Sequence, residues 1–159
     1  MPVKKVCVIT GGTSGIGLCT AQAMLEKGYT VYELSRRAEG APGMNHIAAD
    51  VTKEETLAAA IQEILKREDH IDVLINNAGG AILGAMEELS EAQIQQQLDL
   101  NLVSPIYLTR AFLPAMRARK SGAMVYITSV GGRVSFPGGA LYHAAKFGLE
   151  GFAETVAQE

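Results

Sequence analysis

The chain has 159 residues, of which 48% are hydrophobic and 19% are charged, and its formal net charge is −3. This composition excludes a disordered chain and predicts one soluble globular domain, residues 1–159, with a sizeable core. The small negative charge gives no electrostatic reason to bind nucleic acid or an anionic membrane, and no apolar run approaches the roughly 18 residues of a membrane span. We therefore expect a cytoplasmic protein.

The cysteines and histidines show no pattern of a disulfide or a metal centre. Cys7 falls in a predicted strand and Cys19 on the helix after it, so we expect both to be reduced thiols in the core. The histidines lack the spacing of metal ligands: His46, His70 and His143. We predict no metal site.

A glycine-rich turn connects the first predicted strand, Val3–Ile9, to the first predicted helix, Leu18–Lys27. The turn, Thr10–Gly17, has the sequence TGGTSGIG. Strand, glycine-rich turn and helix together direct main-chain N–H groups and a helix N-terminus at a phosphate. It is not a P-loop, because Leu18 stands where lysine is needed, and Thr20 replaces the last glycine of a strict GxGxxG. We predict phosphate binding rather than a merely flexible turn.

The second predicted strand, Thr30–Leu34, is followed by the segment Ser35-Arg36-Arg37. Roughly 20 residues after the glycines, an NAD-binding fold carries an acidic residue for the ribose 2′-hydroxyl, whereas an arginine there accommodates a 2′-phosphate. A guanidinium binds phosphate in a bidentate manner, so Arg36 favours NADP(H). NAD(H) stays the alternative, because Glu33 lies two residues earlier on the same strand.

Three further predicted strands alternate with helices along the rest of the chain. The strands are His46–Ala49, Asp72–Ile75 and Met124–Thr128. A helix over Lys53–Glu68 follows a capping box at Thr52–Glu55, and a long helix opens at a second box, Ser90–Gln93. The long helix ends at basic residues that complement its dipole: Arg117, Arg119 and Lys120. Since the notable polar residues follow strand ends, this order predicts an α/β fold with its site along one edge of a parallel sheet.

Pro105 lies within the predicted long helix, where a proline costs about 3 kcal/mol unless something compensates. Its missing N–H would have bonded the carbonyl of Asn101, and its ring crowds that carbonyl. The sequence therefore predicts a kink that frees the Asn101 carbonyl to hold a water. The alternative is a bend without functional consequence.

Tyr142 and Lys146 lie on the last predicted helix, after a loop rich in glycine and proline, Val130–Ala140. Positions i and i+4 share one helix face, so the phenol and the ammonium can point at one spot. A free phenol has a pKa of about 10, and a neighbouring cation lowers the pKa of a phenol toward the range useful for acid–base catalysis. Alone the pair is weak evidence, because the same spacing is common on solvated helix faces.

Six segments, taken together and in order, resemble the short-chain dehydrogenase/reductase family. They are TGGTSGIG at Thr10–Gly17, Asp50-Val51, NNAG at Asn76–Gly79, Asn101, Ser129 and YHAAK at Tyr142–Lys146, with Ser129 thirteen residues before Tyr142. The resemblance covers essentially the whole chain. It implies a Rossmann-type, doubly wound parallel sheet between two helical layers, with five of the family's usual seven strands, and binding of NAD(P)(H).

The resemblance also implies roles for individual residues. Tyr142 would pass a proton to or from the substrate oxygen, Ser129 would hydrogen-bond that oxygen, and Lys146 would bind the nicotinamide ribose and favour the phenolate. Asn101 would position a water that links Lys146 to solvent, and Asp50 would contact adenine. Tyr142 and Lys146 would share the cofactor with Gly11, Thr13, Ser14, Gly15, Ile16, Gly17, Arg36, Asp50, Val51, Asn77, Ala78 and Gly79.

These residues imply an oxidoreductase that transfers a hydride between NADP(H) and a carbonyl compound or secondary alcohol. The alternative is a non-catalytic dinucleotide-binding protein or an inactive truncated paralogue; a dehydratase or epimerase on the same scaffold is a third interpretation. Phe136, in the loop before Tyr142, suggests a hydrophobic or medium-sized carbonyl substrate. Small residues on the last helix would let another helix approach, as in the homodimers and homotetramers of the family: Ala144, Ala145, Gly148 and Gly151.

Members of the family continue beyond the position at which this chain ends. Glu159 lies inside the helix that carries Tyr142, before the part that closes over a substrate in the family. We interpret the chain as a fragment of a longer gene product, which could be inactive by itself. The fifth strand would then have an exposed apolar edge.

Overall fold

A five-stranded parallel sheet forms the centre of the molecule in the computed structural model, which describes residues 4–159. The strands are β1 Lys5–Thr10, β2 Tyr29–Ser35, β3 Asn45–Ala48, β4 Val73–Asn76 and β5 Ala123–Tyr126. Their order across the sheet is β3-β2-β1-β4-β5, and every neighbouring pair is parallel. This order, with β1 at the centre and connections running in both directions from it, confirms the predicted Rossmann-type fold.

Five α-helices connect and flank the strands. They are α1 Gly15–Glu26, α2 Glu54–Arg67, α3 Glu91–Leu98, α4 Ser104–Arg119 and α5 Ala140–Val156. Short 3₁₀ turns lie at Met86–Glu88 and Val130–Gly132. No helix in the described part of the chain is long and apolar enough to cross a membrane. Within residues 4–159, no group of three His, Cys, Asp or Glu side chains is placed to hold a metal ion.

Helices cover both faces of the sheet, as parallel strands that are apolar on both sides require. Successive residues of β1 point to opposite faces. Val6 and Val8 therefore join a core with α2 and α4, whereas Cys7 and Ile9 join a second core with α1. Burial raises the pKa of the Cys7 thiol to about 12. The expectation of a second core thiol is wrong, because Cys19 lies on the exposed side of α1.

Element boundaries differ from the predictions by a few residues at strand and helix ends. The predicted first strand began at Val3, which lies outside the described residues. The predicted fifth strand ended at Thr128, whereas β5 ends at Tyr126. The main-chain N–H of Ile127 still donates to the carbonyl of Asn76 at 2.9 Å, so the parallel pairing continues one residue further.

One of the two predicted capping boxes is present. At α3, the Ser90 hydroxyl accepts from the Gln93 N–H, and the Gln93 side chain accepts from the Ser90 N–H. The box predicted at Thr52–Glu55 is wrong. The hydroxyl and the N–H of Thr52 both donate to Asp50, and α2 begins after Lys53 without a side-chain cap.

The predicted long helix is divided by a π-helical segment, Asp99–Val103, between α3 and α4. Pro105 lies in the first turn of α4, directly after this segment, in which the Ser104 N–H donates to the Asp99 carbonyl. The missing N–H of Pro105 leaves a carbonyl of the segment without a main-chain donor. The Ser104 hydroxyl donates to the Leu100 carbonyl at 3.1 Å, which satisfies one carbonyl at the distortion. The predicted kink is thus a π-bulge. A water held by the Asn101 carbonyl stays a prediction.

The C-terminal end of α4 agrees with the predicted basic terminus. Lys120 caps the helix with a left-handed backbone, φ 53°. Arg119 forms an ion pair with Asp72 at 3.2 Å, which ties the helix end to the start of β4. The cations therefore have a structural role, as the sequence indicated.

Candidate active site

A cleft of about 1330 Å³ follows the edge of the sheet at which all five strands end. Residues that follow each of the five strands line this cleft. They include Gly11 after β1, Arg36 after β2, Asp50 after β3, Asn77 after β4 and Ile127 after β5. This edge is where ligands bind to open parallel sheets.

The cleft contains nearly the whole set of residues that the sequence assigned to a cofactor. Gly15 is the exception; it is the first residue of α1 and has a positive φ of 53°. The others all line the cleft: Gly11, Thr13, Ser14, Ile16, Gly17, Arg36, Asp50, Val51, Asn77, Ala78, Gly79, Tyr142 and Lys146.

Glycines allow the turn after β1 and the start of α1 to pack closely. A Cβ atom on Gly17 would lie 2.1 Å from the Gly11 carbonyl oxygen and 2.4 Å from the Asn77 Nδ2 atom. No larger residue fits at that position. Gly11 itself has a φ of 68°, which side chains disfavour. The helix N-terminus is therefore pressed against the ends of β1 and β4.

The N-terminus of α1 has the chemistry of an anion site. Ser14 is its N-cap, but the Ser14 hydroxyl makes no capping hydrogen bond and lines the cleft beside Thr13. The first turn carries no acidic residue that would repel an anion. The first N–H groups of a helix have no intrahelical partners, and the helix dipole favours negative charge there. A phosphate fits these donors.

Thr10 and Asn77 fasten the turn after β1 to the loop after β4. The Thr10 hydroxyl accepts hydrogen bonds from the N–H groups of Asn77 at 3.1 Å and Ala78 at 2.9 Å. The Asn77 side chain donates to the carbonyls of Thr10 at 2.9 Å and Gly11 at 3.2 Å. The role of Thr10 was missed from the sequence. A buried hydroxyl at the end of a strand was its only signal.

Asn101 lies beneath the wall of the cleft and does not line it. Its amide donates to the Gly80 carbonyl at 2.8 Å and the Gln97 carbonyl at 3.1 Å, while its oxygen accepts from the Gly80 N–H. A Cβ atom on Gly79 would lie 3.0 Å from the Asn101 oxygen and 3.5 Å from Lys146 Nζ. The structure thus brings the Asn101 side-chain oxygen and the Lys146 ammonium together at the place that a side chain on Gly79 would occupy.

Tyr142 and Lys146 share a face of α5 and both line the cleft. The Lys146 side chain is buried, and its ammonium donates to the Ile127 carbonyl at 2.9 Å. It lies 5.8 Å from the centre of the Tyr142 ring. Burial lowers the pKa of Lys146, because the charged form is disfavoured away from water. The predicted pair is therefore an ammonium held beside a phenol at the end of β5.

Ser129 lies just beyond β5 and, like Asn101, is not among the residues that line the cleft. Its hydroxyl accepts from the Gly131 N–H at 3.0 Å. A Cβ atom on Gly131 would lie 3.1 Å from the Tyr142 ring, so Gly131 connects the serine to the tyrosine. The Ser129 hydroxyl and the Tyr142 ring therefore both lie next to Gly131.

His143 holds the same loop against α5 and was missed as a site residue. One ring nitrogen, Nδ1, lies 2.8 Å from the Gly131 carbonyl, and Nε2 accepts from the Phe136 N–H at 3.1 Å. Since a carbonyl only accepts, Nδ1 carries the proton and the ring is neutral. The available sequence signal was the position of His143 between Tyr142 and Lys146, but the histidines were considered only as metal ligands.

Charged side chains gather at the end of the cleft beyond β2 and β3. Arg36 is exposed and lines the cleft with Ser35 and Arg37. Partial burial would raise the pKa of Asp50, but the Thr52 hydrogen bonds outweigh burial and, with the Arg36 charge, hold that pKa below its ordinary value. Asp50 is therefore ionised at neutral pH.

Glu33 does not line the cleft, although β2 points it toward the same face as Ser35. Its side chain is fully buried and accepts a hydrogen bond from the Gly12 N–H at 3.0 Å. The carboxylate therefore lies below the glycine turn and outside the cleft.

Residues of α3 and of the π-helical segment also line the cleft, although no role was predicted for them. They include Ala92, Gln95 and Gln96 of α3 and Asp99 of the π-helical segment. A run of glutamines, Gln95–Gln97, was the available signal. Gln97 is buried and donates to the Gly80 carbonyl at 2.8 Å.

A family model for short-chain dehydrogenases matches residues 5–159. The fold, the glycine turn and the Tyr142–Lys146 pair agree with that match. The chain belongs to the short-chain dehydrogenase family, whose members are oxidoreductases that bind a nicotinamide dinucleotide.

Individual relatives match nearly all of this chain. The chain is 36% identical to 3-ketodihydrosphingosine reductase from Bacteroides thetaiotaomicron, over 98% of this chain and 58% of the relative. A short-chain dehydrogenase from Streptomyces avermitilis has a TM-score of 0.94 and 37% identity, over 99% of this chain and 61% of that one. A metagenomic short-chain oxidoreductase in complex with NADP has a TM-score of 0.90 and 31% identity, over 97% and 74%.

The chain spans about three fifths of the length of the first two of these proteins.

Proposed function

We propose that this chain is the cofactor-binding and proton-transfer part of an NADP(H)-dependent oxidoreductase that interconverts a carbonyl compound and a secondary alcohol. The observation that carries the proposal is the buried Lys146 ammonium beside Tyr142, in the same cleft as the glycine turn. Residues 1–159 act as one nucleotide-binding domain in this proposal.

The cleft has places for each part of a dinucleotide. The pyrophosphate is bound by Thr13, Ser14 and the N–H groups at the start of α1, where Gly17 removes the Cβ that would hold the helix away. Asp50 and Val51 would hold the adenine, and Asn77–Gly79 would hold the adenosine ribose. Once bound, the nicotinamide would donate or accept the hydride.

The chain's own residues carry the proton. In reduction, Tyr142 would donate its phenolic proton to the carbonyl oxygen of the substrate, and the product would be the alcohol. Lys146 favours the phenolate that Tyr142 becomes, and it binds the nicotinamide ribose. Ser129 hydrogen-bonds the substrate oxygen. Asn101, which like Lys146 lies next to Gly79, would position a water that returns a proton to Lys146.

Two observations support NADP(H) over NAD(H). Arg36 lines the cleft, and its guanidinium suits a 2′-phosphate. Glu33 is buried beneath the glycine turn, so no carboxylate from β2 is presented to the ribose. The related metagenomic oxidoreductase was solved with NADP. NAD(H) stays the alternative.

The cofactor assignment is tested by changing Ser35 to Asp together with Arg36 to Ile. An aspartate would accept a hydrogen bond from a ribose 2′-hydroxyl and repel a 2′-phosphate. We expect the ratio of NADPH to NADH affinity to reverse, as measured by fluorescence titration. An unchanged ratio would contradict the assignment of NADP(H).

The substrate is proposed to be a hydrophobic or medium-sized carbonyl compound. The loop before Tyr142 exposes apolar side chains, including Val134 and Phe136, and Phe136 is anchored edge-on against the His143 ring. These side chains offer an apolar surface on the loop that leads into α5. We propose a cytoplasmic, homodimeric or homotetrameric enzyme for the whole protein. On α5, Ala145 is buried and Gly148 faces Leu102, which leaves Ala144 and Gly151 for contact with another copy.

The catalytic proposal is tested with this chain and with the complete product of its gene. NADPH binding is followed by fluorescence, and NADPH oxidation is followed with a panel of aldehydes and ketones. We expect NADPH to bind to both proteins and turnover to occur in the complete product. Binding without turnover in the complete product would favour the non-catalytic alternative.

A further inference from the structure

We propose that Glu33 and His46 share a single proton, and that this neutral pair acts as a positioning element for the NADP(H) specificity of the cleft. The inference rests on the proposed function where it concerns the cofactor. The shared proton itself follows from hydrogen-bond geometry alone.

The proton count begins at His46. Its Nε2 atom lies 2.9 Å from the Arg37 carbonyl oxygen, and a carbonyl only accepts, so Nε2 carries a proton. Its Nδ1 atom lies 2.6 Å from Glu33 Oε2, and that contact also needs a proton. The proton comes either from an imidazolium or from a protonated carboxyl. In both cases the net charge of the pair is zero.

The other oxygen of Glu33 shows where this proton lies. Oε1 accepts a hydrogen bond from the Gly12 N–H at 3.0 Å, so it is not the protonated oxygen. The Ser35 hydroxyl donates to Oε2 at 3.3 Å. The proton is therefore confined to the contact between Oε2 and the histidine ring. Full burial of Glu33 makes an unneutralised carboxylate costly there.

The pair, with Glu33 on β2 and His46 on β3, connects the glycine turn to the loop after β2. A Cβ atom on Gly12 would lie 2.6 Å from Glu33 Cγ, and one on Gly40 would lie 2.5 Å from His46 Cβ. The glycine turn therefore packs on the glutamate, and the loop after β2 packs on the histidine. The histidine also binds the main chain of Arg37. Movement of the Glu33–His46 pair would therefore displace both the glycine turn, Thr10–Gly17, and the segment Ser35-Arg36-Arg37.

Neutrality of the pair has a consequence for the cofactor. Ser35 lies between the pair and the cleft, since it bonds Glu33 and also accepts from the Thr13 hydroxyl at 3.5 Å. With the carboxylate neutralised, Arg36 and Arg37 are opposed at this end of the cleft by Asp50 but not by Glu33. Without the shared proton, a negative charge would lie directly behind Ser35 and oppose a 2′-phosphate.

Three variants separate the effect of the charge of Glu33 on cofactor binding from the effect of side-chain shape. His46→Gln removes the group that shares the proton and leaves Glu33 without a neutralising partner. Glu33→Gln keeps the shape and stays neutral, because its amide can donate to the His46 ring. The double variant Glu33→Gln with His46→Gln removes the charge again. Dissociation constants for NADPH and NADH are measured for each protein by fluorescence titration.

We expect His46→Gln to weaken NADPH binding relative to NADH by about tenfold, the effect of one added charge at partly screened range. Glu33→Gln and the double variant should keep the ratio of the native protein to within about threefold. If the pair acted through its shape alone, His46→Gln would weaken the binding of NADPH and of NADH equally. An unchanged ratio in His46→Gln, or no recovery in the double variant, would overturn the proposal.

A measurement without cofactor tests the shared proton separately. Long-range ¹H–¹⁵N spectra of the histidine rings of the native chain, recorded at mildly alkaline pH, should show a protonated Nε2 and a strongly hydrogen-bonded proton at Nδ1 of His46. A ring with a bare Nε2 would overturn the proposal even if NADPH binds. If neither cofactor binds but the spectrum is as expected, the proposed function fails while the pair stands.

Discussion

At the scale of single residues, the site depends on glycines, because these residues lack the Cβ atom that would keep neighbouring groups apart. Gly17 allows the start of α1 to meet the Gly11 carbonyl, and Gly79 lies between Asn101 and Lys146 without a side chain to separate them. Each glycine brings a functional group closer than an alanine would. A glycine-rich motif therefore specifies close approach of main chains rather than flexibility.

Replacing Gly17 with alanine tests this close approach. The new Cβ would lie 2.1 Å from the Gly11 oxygen, so α1 must move away from β1. We expect a loss of about 1–3 kcal/mol in the free energy of unfolding, typical of overpacking, together with weaker dinucleotide binding. Urea unfolding and NADPH titration measure the two effects.

Gly151→Ala is the matched control. Gly151 lies in α5 with no atom within 4 Å of an added Cβ, so alanine should stabilise the helix by up to about 1 kcal/mol. Equal effects of the two substitutions would show that helix propensity, and not crowding at the turn, governs Gly17.

At the scale of elements, the π-helical segment Asp99–Val103 explains how a proline-containing stretch supports the site. It separates α3 from α4 and directs Asn101 at the loop after β4. Gln97, at the end of α3, binds the same loop through Gly80 and Ile82. The loop that carries Gly79 is thus fixed by side chains from a distorted helix.

Replacing Gln97 with alanine should destabilise the protein. The Ile82 N–H would lose its acceptor and the Gly80 carbonyl one of its donors, in a part-buried place. A cost of about 1–3 kcal/mol is expected from unsatisfied polar groups. The measurement is urea unfolding, with Gln96→Ala as the control, because Gln96 is the exposed neighbour on the same helix. A loss as large in the control would contradict this role of Gln97.

Sequence patterns predicted the strands, their parallel arrangement and the edge that carries the cleft, because alternating elements and strand-end polar residues are local signals. Local patterns could not predict the π-bulge, which depends on where Pro105 falls relative to tertiary contacts. The same limit explains the error at Thr52, whose hydroxyl binds Asp50 instead of capping α2. His46 and His143 were judged only as metal ligands. Their main-chain partners lie on other segments and cannot be located from spacing.

At the scale of the whole molecule, ionised carboxyl groups tie distant parts of the chain together. Asp72 accepts from the Val6 N–H at 2.8 Å and pairs with Arg119 at 3.2 Å, which joins β1, β4 and α4. Burial acts to raise the pKa of Asp72, but these hydrogen bonds and cations outweigh burial and hold the pKa below its ordinary value.

This lowered pKa predicts how stability depends on pH. A carboxyl group with a lower pKa in the folded state stabilises the protein above its unfolded pKa of roughly 4, and this contribution is lost as the pH falls through the folded value. Urea unfolding from neutral to strongly acidic pH should therefore show a steeper acid loss for the native chain than for Asp72→Asn. Identical acid profiles would contradict the assigned role of Asp72.

Proton transfer by Tyr142 is the central step of the proposed reaction, and one substitution tests it directly. Tyr142→Phe in the complete gene product removes the phenolic proton and leaves the ring and Lys146 in place. We predict that turnover with a carbonyl substrate falls by at least about 10²-fold, the lower range for loss of general acid catalysis, while the dissociation constant for NADPH changes little. Turnover that survives in Tyr142→Phe, with NADPH binding intact, would contradict the account.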